Sequence, residues 1–148
     1  DAKMKQPNAD LRGLALSALG GEELPLTLVD DVVLTVERVV ASELWRRAQG
    51  SQRYLAEVPV ATPMPAAKSA SGLPTVLRGV IDLVFLETKG WVIVDYKSER
   101  VEEGDLAALV EYYRPQIEAY ADVWEKIVGQ PVVERGLFFT HTGRYVTV

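Results

Sequence analysis

Two aspartates occupy positions where solvated carboxylates seldom fall. Asp82 sits inside the apolar run Gly79-Val-Ile-Asp-Leu-Val-Phe85, and Asp95 directly follows Val92-Ile-Val94. An ionised carboxylate buried without a partner is strongly penalised, so each position calls for a cation, a cluster of hydrogen-bond donors or a raised pKa. If the two runs form neighbouring strands, the carboxylates approach one another, and paired oxygen ligands suit Mg²⁺ or Mn²⁺. Lys97 adds a third group. Residues two apart on an extended strand point the same way, so Lys97 shares the face of Asp95 while Tyr96 points opposite. A cation beside a metal site can stabilise an attacking hydroxide or a phosphorane-like transition state, which is what metal-assisted phosphodiester hydrolysis requires. Spacing alone serves a second reading equally well, in which Asp95 and Lys97 are a strand-end ion pair and Asp82 caps a loop.

Other candidates carry weaker signals. Gln116 and Tyr120 are four apart and share a helix face, although Tyr120 alone reads as a core residue beside Ile117, Trp124 and Ile127. Glu57 is out of phase with the apolar Ala56 and Val58 and reads as a solvated strand residue. His141, the only histidine, falls in a turn and reads as exposed, so no His-dependent triad is expected within this chain. Arg46, Arg47 and Arg53, with Trp45 and Tyr54 nearby, could face phosphate, but arginines at a helix C-terminus are favoured by the helix dipole in any case. Neither a glycine-rich nucleotide loop nor a nucleophile elbow occurs.

The elements that must position these residues follow from periodicity. Leu11 to Leu19 is a short apolar stretch of one or two helical turns. From Leu28 to Ala48, apolar residues recur at three- and four-residue steps, predicting one amphipathic helix ended by Gly50. Arg53 to Thr62 alternates as a strand, with Pro59 marking an edge or bulge, and residues 61–74 read as a loop. Thr75 to Leu86 and Trp91 to Lys97 are strands joined by the hairpin link Glu87-Thr-Lys-Gly90. The continuously apolar Trp91-Val-Ile-Val94 suits a strand covered on both faces. Asp105 to Tyr113 predicts a helix, and Pro115 opens a second one reaching Val128, closed by Gly129. Val132 to Thr140 and Arg144 to Val148 are the last strands. The order α, β, β, β, α, β, β predicts an α/β fold with a mixed sheet.

The 148 residues amount to about one domain. With 48% hydrophobic and 25% charged residues the composition is globular, not disordered. The formal charge of -5 excludes an autonomous DNA-binding module held by basic charge. That charge is concentrated: residues 99–125 hold Glu99, Glu102, Glu103, Asp105, Glu111, Glu118, Asp122 and Glu125 against Arg100 and Arg114, a net of -6, leaving +1 elsewhere. The absence of cysteine removes disulfides, thiolate metal sites and cysteine nucleophiles, and agrees with a reducing cytoplasm. No membrane span or signal-peptide layout is expected. The chain opens on Asp1, which reads as a piece of a longer polypeptide.

Several segments, in order, resemble one family: Glu57-Val-Pro59, Arg78-Gly-Val-Ile-Asp-Leu-Val-Phe85, Ile93-Val-Asp-Tyr-Lys-Ser98 and Tyr113-Arg-Pro-Gln-Ile-Glu-Ala-Tyr120. They are similar to the RecB-like nuclease domain of the PD-(D/E)XK superfamily, found at the C-terminus of AddA- and UvrD-type helicases in bacterial double-strand-break repair and recombination. The resemblance runs from about Trp45 to Val148. It implies a restriction-endonuclease-like αβββαβ core with a mixed central sheet flanked by helices. The whole of 1–148 would be one nuclease-type domain, with a helical part at 1–50 and the core at 51–148.

The same resemblance implies roles. Asp82 and Asp95 would bind the metal, joined by the backbone carbonyl of Tyr96. Lys97 would position or stabilise the nucleophilic water. Gln116 and Tyr120 match a Q-x-x-x-Y helix motif that lies beside the active site and contacts DNA, and Glu57 matches a recurrent glutamate that supports the site. The implied activity is a cytoplasmic, bacterial, Mg²⁺-dependent (or Mn²⁺-dependent) deoxyribonuclease of exonuclease type. Its partners would be DNA, a helicase portion of the same chain that uses ATP, and a second helicase-nuclease subunit. The alternatives are a non-cleaving module of the same fold that guides DNA or docks a partner, and a small α/β scaffold with a strand-end ion pair.

One departure stands out. The family supplies a histidine ligand from an N-terminal helix in a G-x-x-x-H-x-x-L setting, and no histidine precedes His141. Either that histidine lies upstream of Asp1, the preferred reading, or Arg12-Gly13 to Ser17 is a degenerate version. The isolated chain is accordingly predicted to bind metal weakly and cleave slowly.

Overall fold

A computed structural model describes residues 28–64, 75–102 and 104–148. The readings of Leu11–Leu19, of the Arg12–Ser17 stretch and of residues 65–74 fall outside them. The chain divides into two compact units between Arg47 and Ala48.

Over residues 29–50 the expected single helix is two, α1 (Val29–Ala41) and α2 (Glu43–Gly50). Ser42 adopts an extended conformation between them. Its hydroxyl donates to the Val39 carbonyl at 2.6 Å and accepts from the Trp45 amide at 3.1 Å. A serine that satisfies the first free amides of a helix is a good N-cap, and this one starts α2. The four-residue step from Val40 to Leu44 carries the apolar pattern straight across the break, which is why periodicity alone runs the two together.

The second unit is a five-stranded sheet in the order β1-β2-β3-β4-β5, comprising β1 (Arg53–Met64), β2 (Thr75–Glu87), β3 (Gly90–Lys97), β4 (Val132–Phe139) and β5 (Arg144–Thr147). Its helix is α3 (Leu106–Val128). Neighbouring strands are antiparallel except β3 and β4, which are parallel. Parallel neighbours need a crossover, and α3 supplies it. β1 extends past Thr62 to Met64, paired to Thr75, so the start of the expected loop is strand. Proline is tolerated at Pro59 and Pro63 because β1 is an edge.

α3 is continuous through Pro115, against the expectation of two helices meeting there. Proline removes one i→i−4 hydrogen bond, here to Glu111. Both Glu111 and Pro115 are exposed, so water can satisfy the freed carbonyl. Gly129 closes the helix in the left-handed conformation, its amide on the Glu125 carbonyl at 2.8 Å.

Val84, Trp91, Ile93, Leu137 and Phe139 from the sheet form one core with Ile117, Tyr120, Ala121 and Trp124 of α3. Trp91 and Trp124 meet edge to face, with centroids 5.1 Å apart. Burial of this apolar stripe holds α3 across β3 and β4 and fixes which turn of the helix lies over the C-terminal end of β3. Among the described residues no helix is long and apolar enough to cross a membrane.

Candidate active site

Strand alternation breaks at one level of the β1–β2 pair. On β2, Gly79 and Ile81 face α3, and so do Val84 and Leu86, a step of three between Ile81 and Val84. On β1, Leu55 and Val58 join the same core across an equal step. The register pairs Ala56 with Leu83 and Val58 with Ile81, leaving Glu57 and Asp82 opposite each other outside the ladder. Glu57 takes a φ of 54°, a conformation that costs a non-glycine residue about 1–3 kcal/mol and tends to persist at functional sites. The β2–β3 ladder likewise stops at Leu83 and Val94, one step short of Asp82 and Asp95. Two strand irregularities therefore free Asp82 from regular pairing.

The freed carboxylate turns to β3, where Asp82 Oδ2 accepts the Tyr96 amide at 2.7 Å. It caps no loop. Burial pushes its carboxyl above the usual carboxylate range, opposed by that amide; Asp95 adds to the rise, Lys97 opposes it and Glu57 adds to it. Asp95 is the buried charged residue of the described core, 4% exposed. Its Oδ2 lies 2.6 Å from Lys97 Nζ, without the alignment of a hydrogen bond. The strand-end ion pair read from spacing is thus present, but with Asp82 drawn in beside it. Tyr96 points to the other face and packs edge to face on Phe138.

Lys97 is enclosed from several sides. Its ammonium donates to Gln116 Oε1 at 2.9 Å, and Gln116 Nε2 donates to the Tyr120 hydroxyl at 3.2 Å. The ammonium also sits 3.7 Å from the centroid of the Tyr113 ring. The Tyr113 hydroxyl donates to Glu99, which pushes the phenol up to about 12 and holds the Glu99 carboxyl below its usual range. The backbone is anchored as well, since the Lys97 carbonyl accepts the Thr140 amide at 2.9 Å. Asp82, Asp95, Lys97, Gln116 and Tyr120 are brought together, and Tyr120 serves as core residue and network member at once.

Glu57 is exposed and reaches Asp82 only electrostatically. His141 is exposed beyond β4, as its turn position suggests. Sequence reasoning left Tyr113 and Glu99 without roles. A signal was available for Tyr113, which precedes Gln116 by three residues, one helical turn; Glu99 lies in a bend past the end of β3, where strand phase no longer applies.

The donors suit a hard cation. Asp95 Oδ2 is buried and lacks a hydrogen bond, and Asp82 keeps an oxygen beyond the one engaged by Tyr96. Among the described residues no cluster of three or more Asp, Glu, His or Cys forms a ready metal cage. Two carboxylates with water completing the shell fit a divalent ion that retains much of its hydration.

The profile of the PD-(D/E)XK nuclease superfamily matches residues 8–146. The chain belongs to this superfamily. Its fold agrees, with a mixed five-stranded sheet and helices arranged as in a restriction-endonuclease-like core. Similar proteins include an ATP-dependent helicase/nuclease subunit of Desulforudis audaxviator, 34% identical over 141 residues, covering 88% of this chain and 12% of the relative. The like-named protein of Clostridium perfringens (strain SM101) is 32% identical over 118 residues, covering 72% of this chain and 9% of its own length. That of Alkaliphilus metalliredigens is 30% identical over 149 residues, covering 86% and 12%. This superfamily member thus spans about a tenth of the length of the relatives it matches.

Proposed function

We propose that this chain is the nuclease domain of a bacterial, cytoplasmic helicase-nuclease, a Mg²⁺-dependent deoxyribonuclease of exonuclease type that also accepts Mn²⁺. The observation that carries the reading is the joint placement of Asp82, Asp95 and Lys97, with Asp82 freed from regular strand pairing and Lys97 backed by Gln116 and Tyr120. The names of the similar proteins support it. The core lies in 51–148 with a helical part before it, and the partners are DNA, a helicase portion of the same polypeptide that uses ATP, and a second helicase-nuclease subunit.

Asp82 and Asp95, with the carbonyl of Tyr96, would hold the cation. When bound, it would supply Lewis-acid stabilisation of phosphoryl charge and a water of lowered pKa. The residues of the chain do the rest. Asp82 and Asp95 fix the position of the site by their strands, and Gln116 orients Lys97. Lys97 then presents a donor to the attacking water or to a non-bridging phosphate oxygen, where charge develops. The water oxygen bonds to phosphorus and gives up a proton to solvent, the bond from phosphorus to the leaving oxygen breaks, and that oxygen takes up a proton from solvent. Glu57 supports the site through its effect on Asp82, and Gln116 and Tyr120 lie where a DNA strand would pass.

Asp82→Ala and Lys97→Ala in the full-length parent test the reading. Each is expected to reduce DNA cleavage with Mg²⁺ or Mn²⁺ by about 10²-fold or more with the fold retained by circular dichroism. Undiminished cleavage by either would overturn it. Retained DNA binding without an Mn²⁺ site in a calorimetric titration of the unaltered protein would favour a non-cleaving, DNA-guiding module.

A further inference from the structure

We propose that Tyr113 is a positioning residue for Lys97, its ring face holding the ammonium and Glu99 holding the ring. The proposal rests on the nuclease reading above and adds to it a group that none of the assigned roles uses.

A lysine ammonium sits on a long, flexible stem and needs outside contacts to keep one place. Lys97 has three: Asp95 Oδ2 at 2.6 Å, Gln116 Oε1 at 2.9 Å and the Tyr113 ring centroid at 3.7 Å. The face of an aromatic ring attracts a cation through its quadrupole, more strongly where water is excluded, and the Lys97 side chain is only 12% exposed. A divalent ion on the Asp95 carboxylate would draw on its charge and weaken its hold on the ammonium, and the two contacts from α3 would remain. Tyr113 and Gln116 lie one helical turn apart, so both approach Lys97 from one face of that helix.

A ring held only by its own torsions would not keep its face toward the cation. The Tyr113 hydroxyl is tied to Glu99, two residues beyond Lys97 on the chain that leaves β3. The exposed Tyr112 meets the ring edge to face at 4.9 Å between centroids. The arrangement is a short closed circuit from Lys97 through Tyr113 and Glu99 back to the strand end.

Steady-state cleavage of a fluorescent oligonucleotide by the full-length parent tests the proposal, with kcat and KM measured separately. Tyr113→Leu is expected to lower kcat about tenfold with KM within about twofold, because Lys97 is misplaced without loss of the DNA surface. Tyr113→Phe keeps the ring but loses its tie to Glu99, and is expected to recover part of the rate, between Tyr113→Leu and the unaltered protein. Thermal melting accompanies each variant, and Tyr113→Met takes the place of Tyr113→Leu if leucine lowers the melting temperature. Wild-type kcat in the folded non-aromatic variant overturns the proposal. So does a Tyr113→Phe variant as slow as Tyr113→Leu, which would place the effect in the hydroxyl. Lys97→Ala in the same assay separates the two levels of argument: normal cleavage by that variant fails the nuclease reading, whereas its inactivity beside a normal Tyr113→Leu fails this inference alone.

Discussion

Asp82 accepts one backbone amide yet is destabilised as an anion, because burial raises its pKa more than the Tyr96 amide lowers it, and Asp95 and Glu57 face it with like charge. A carboxyl whose pKa is raised by folding binds its proton more tightly in the native state. The ionised group therefore detracts from stability above the native pKa, and the deficit disappears as pH falls below the ordinary value of 3.8. Asp82→Asn keeps an oxygen that can accept from Tyr96 and removes the charge. It is expected to raise the melting temperature in EDTA at about pH 8, with the gain shrinking toward about pH 4, while abolishing cleavage. Melting curves at both pH values check this; an equal gain at both, or none, would contradict the assignment of strain to the charge. The central residues were legible because Asp82 and Asp95 interrupt apolar runs and Lys97 shares a strand face with Asp95. Glu57 was not. Its apparent outward phase hides a φ of 54°, and backbone conformation of that kind leaves no mark in an alternation pattern. Tyr113 and Glu99 leave no such mark, because their spacing matters only once the Tyr113 ring is known to lie between Lys97 and Glu99.

At the scale of elements, the decisive contact is the approach of α3 to β2 at Gly79. A Cβ added there would lie 2.6 Å from the Tyr120 hydroxyl oxygen and 2.7 Å from a ring carbon, so the strand comes this close to the helix only without a side chain. Gly79→Ala is expected to displace Tyr120, loosen its bond to Gln116 and cost about 1–3 kcal/mol of stability by overpacking. Urea melts should show a lower midpoint at unchanged slope, and cleavage by the parent should fall. A double-mutant cycle checks the cause: in a Tyr120→Ala background the alanine at position 79 should cost little, and a full cost there would show that the clash lies elsewhere. The sheet and its two long hairpin strands could be read from alternation and turn residues, and the last two strands likewise. Helix ends were harder. Ser42 interrupts a pattern whose apolar step continues across it, and Pro115 interrupts no helix, because the carbonyl it orphans faces water. In both cases local hydrogen bonding, not hydrophobic period, decides the boundary.

For the molecule as a whole, charge is the organising quantity. The net charge is -5, with -6 confined to residues 99–125, and the exposed side of α3 carries Glu111, Glu118, Asp122 and Glu125 against Arg114 and Lys126, an acidic surplus that disfavours a phosphate backbone. Net charge alone therefore offers DNA no attraction, and under the nuclease reading a bound divalent ion would offset the charges of Asp82 and Asp95 where phosphate approaches. A ligand that binds only the native state stabilises it by mass action. At a hundred times its dissociation constant the gain is about 2.7 kcal/mol, or about 5–10 °C in melting temperature for a domain of this size. Mn²⁺ should therefore raise the melting temperature of the unaltered protein, whereas Asp82→Asn, lacking a ligand, should respond little. Together with the gain expected for that variant in EDTA, this makes the two proteins exchange rank: the variant melts higher without metal, the unaltered protein higher with it. Screening alone cannot produce the exchange, since potassium chloride at matched ionic strength would act on both alike. Equal stabilisation of both proteins by Mn²⁺ would place the ion away from Asp82, and with it the chemistry.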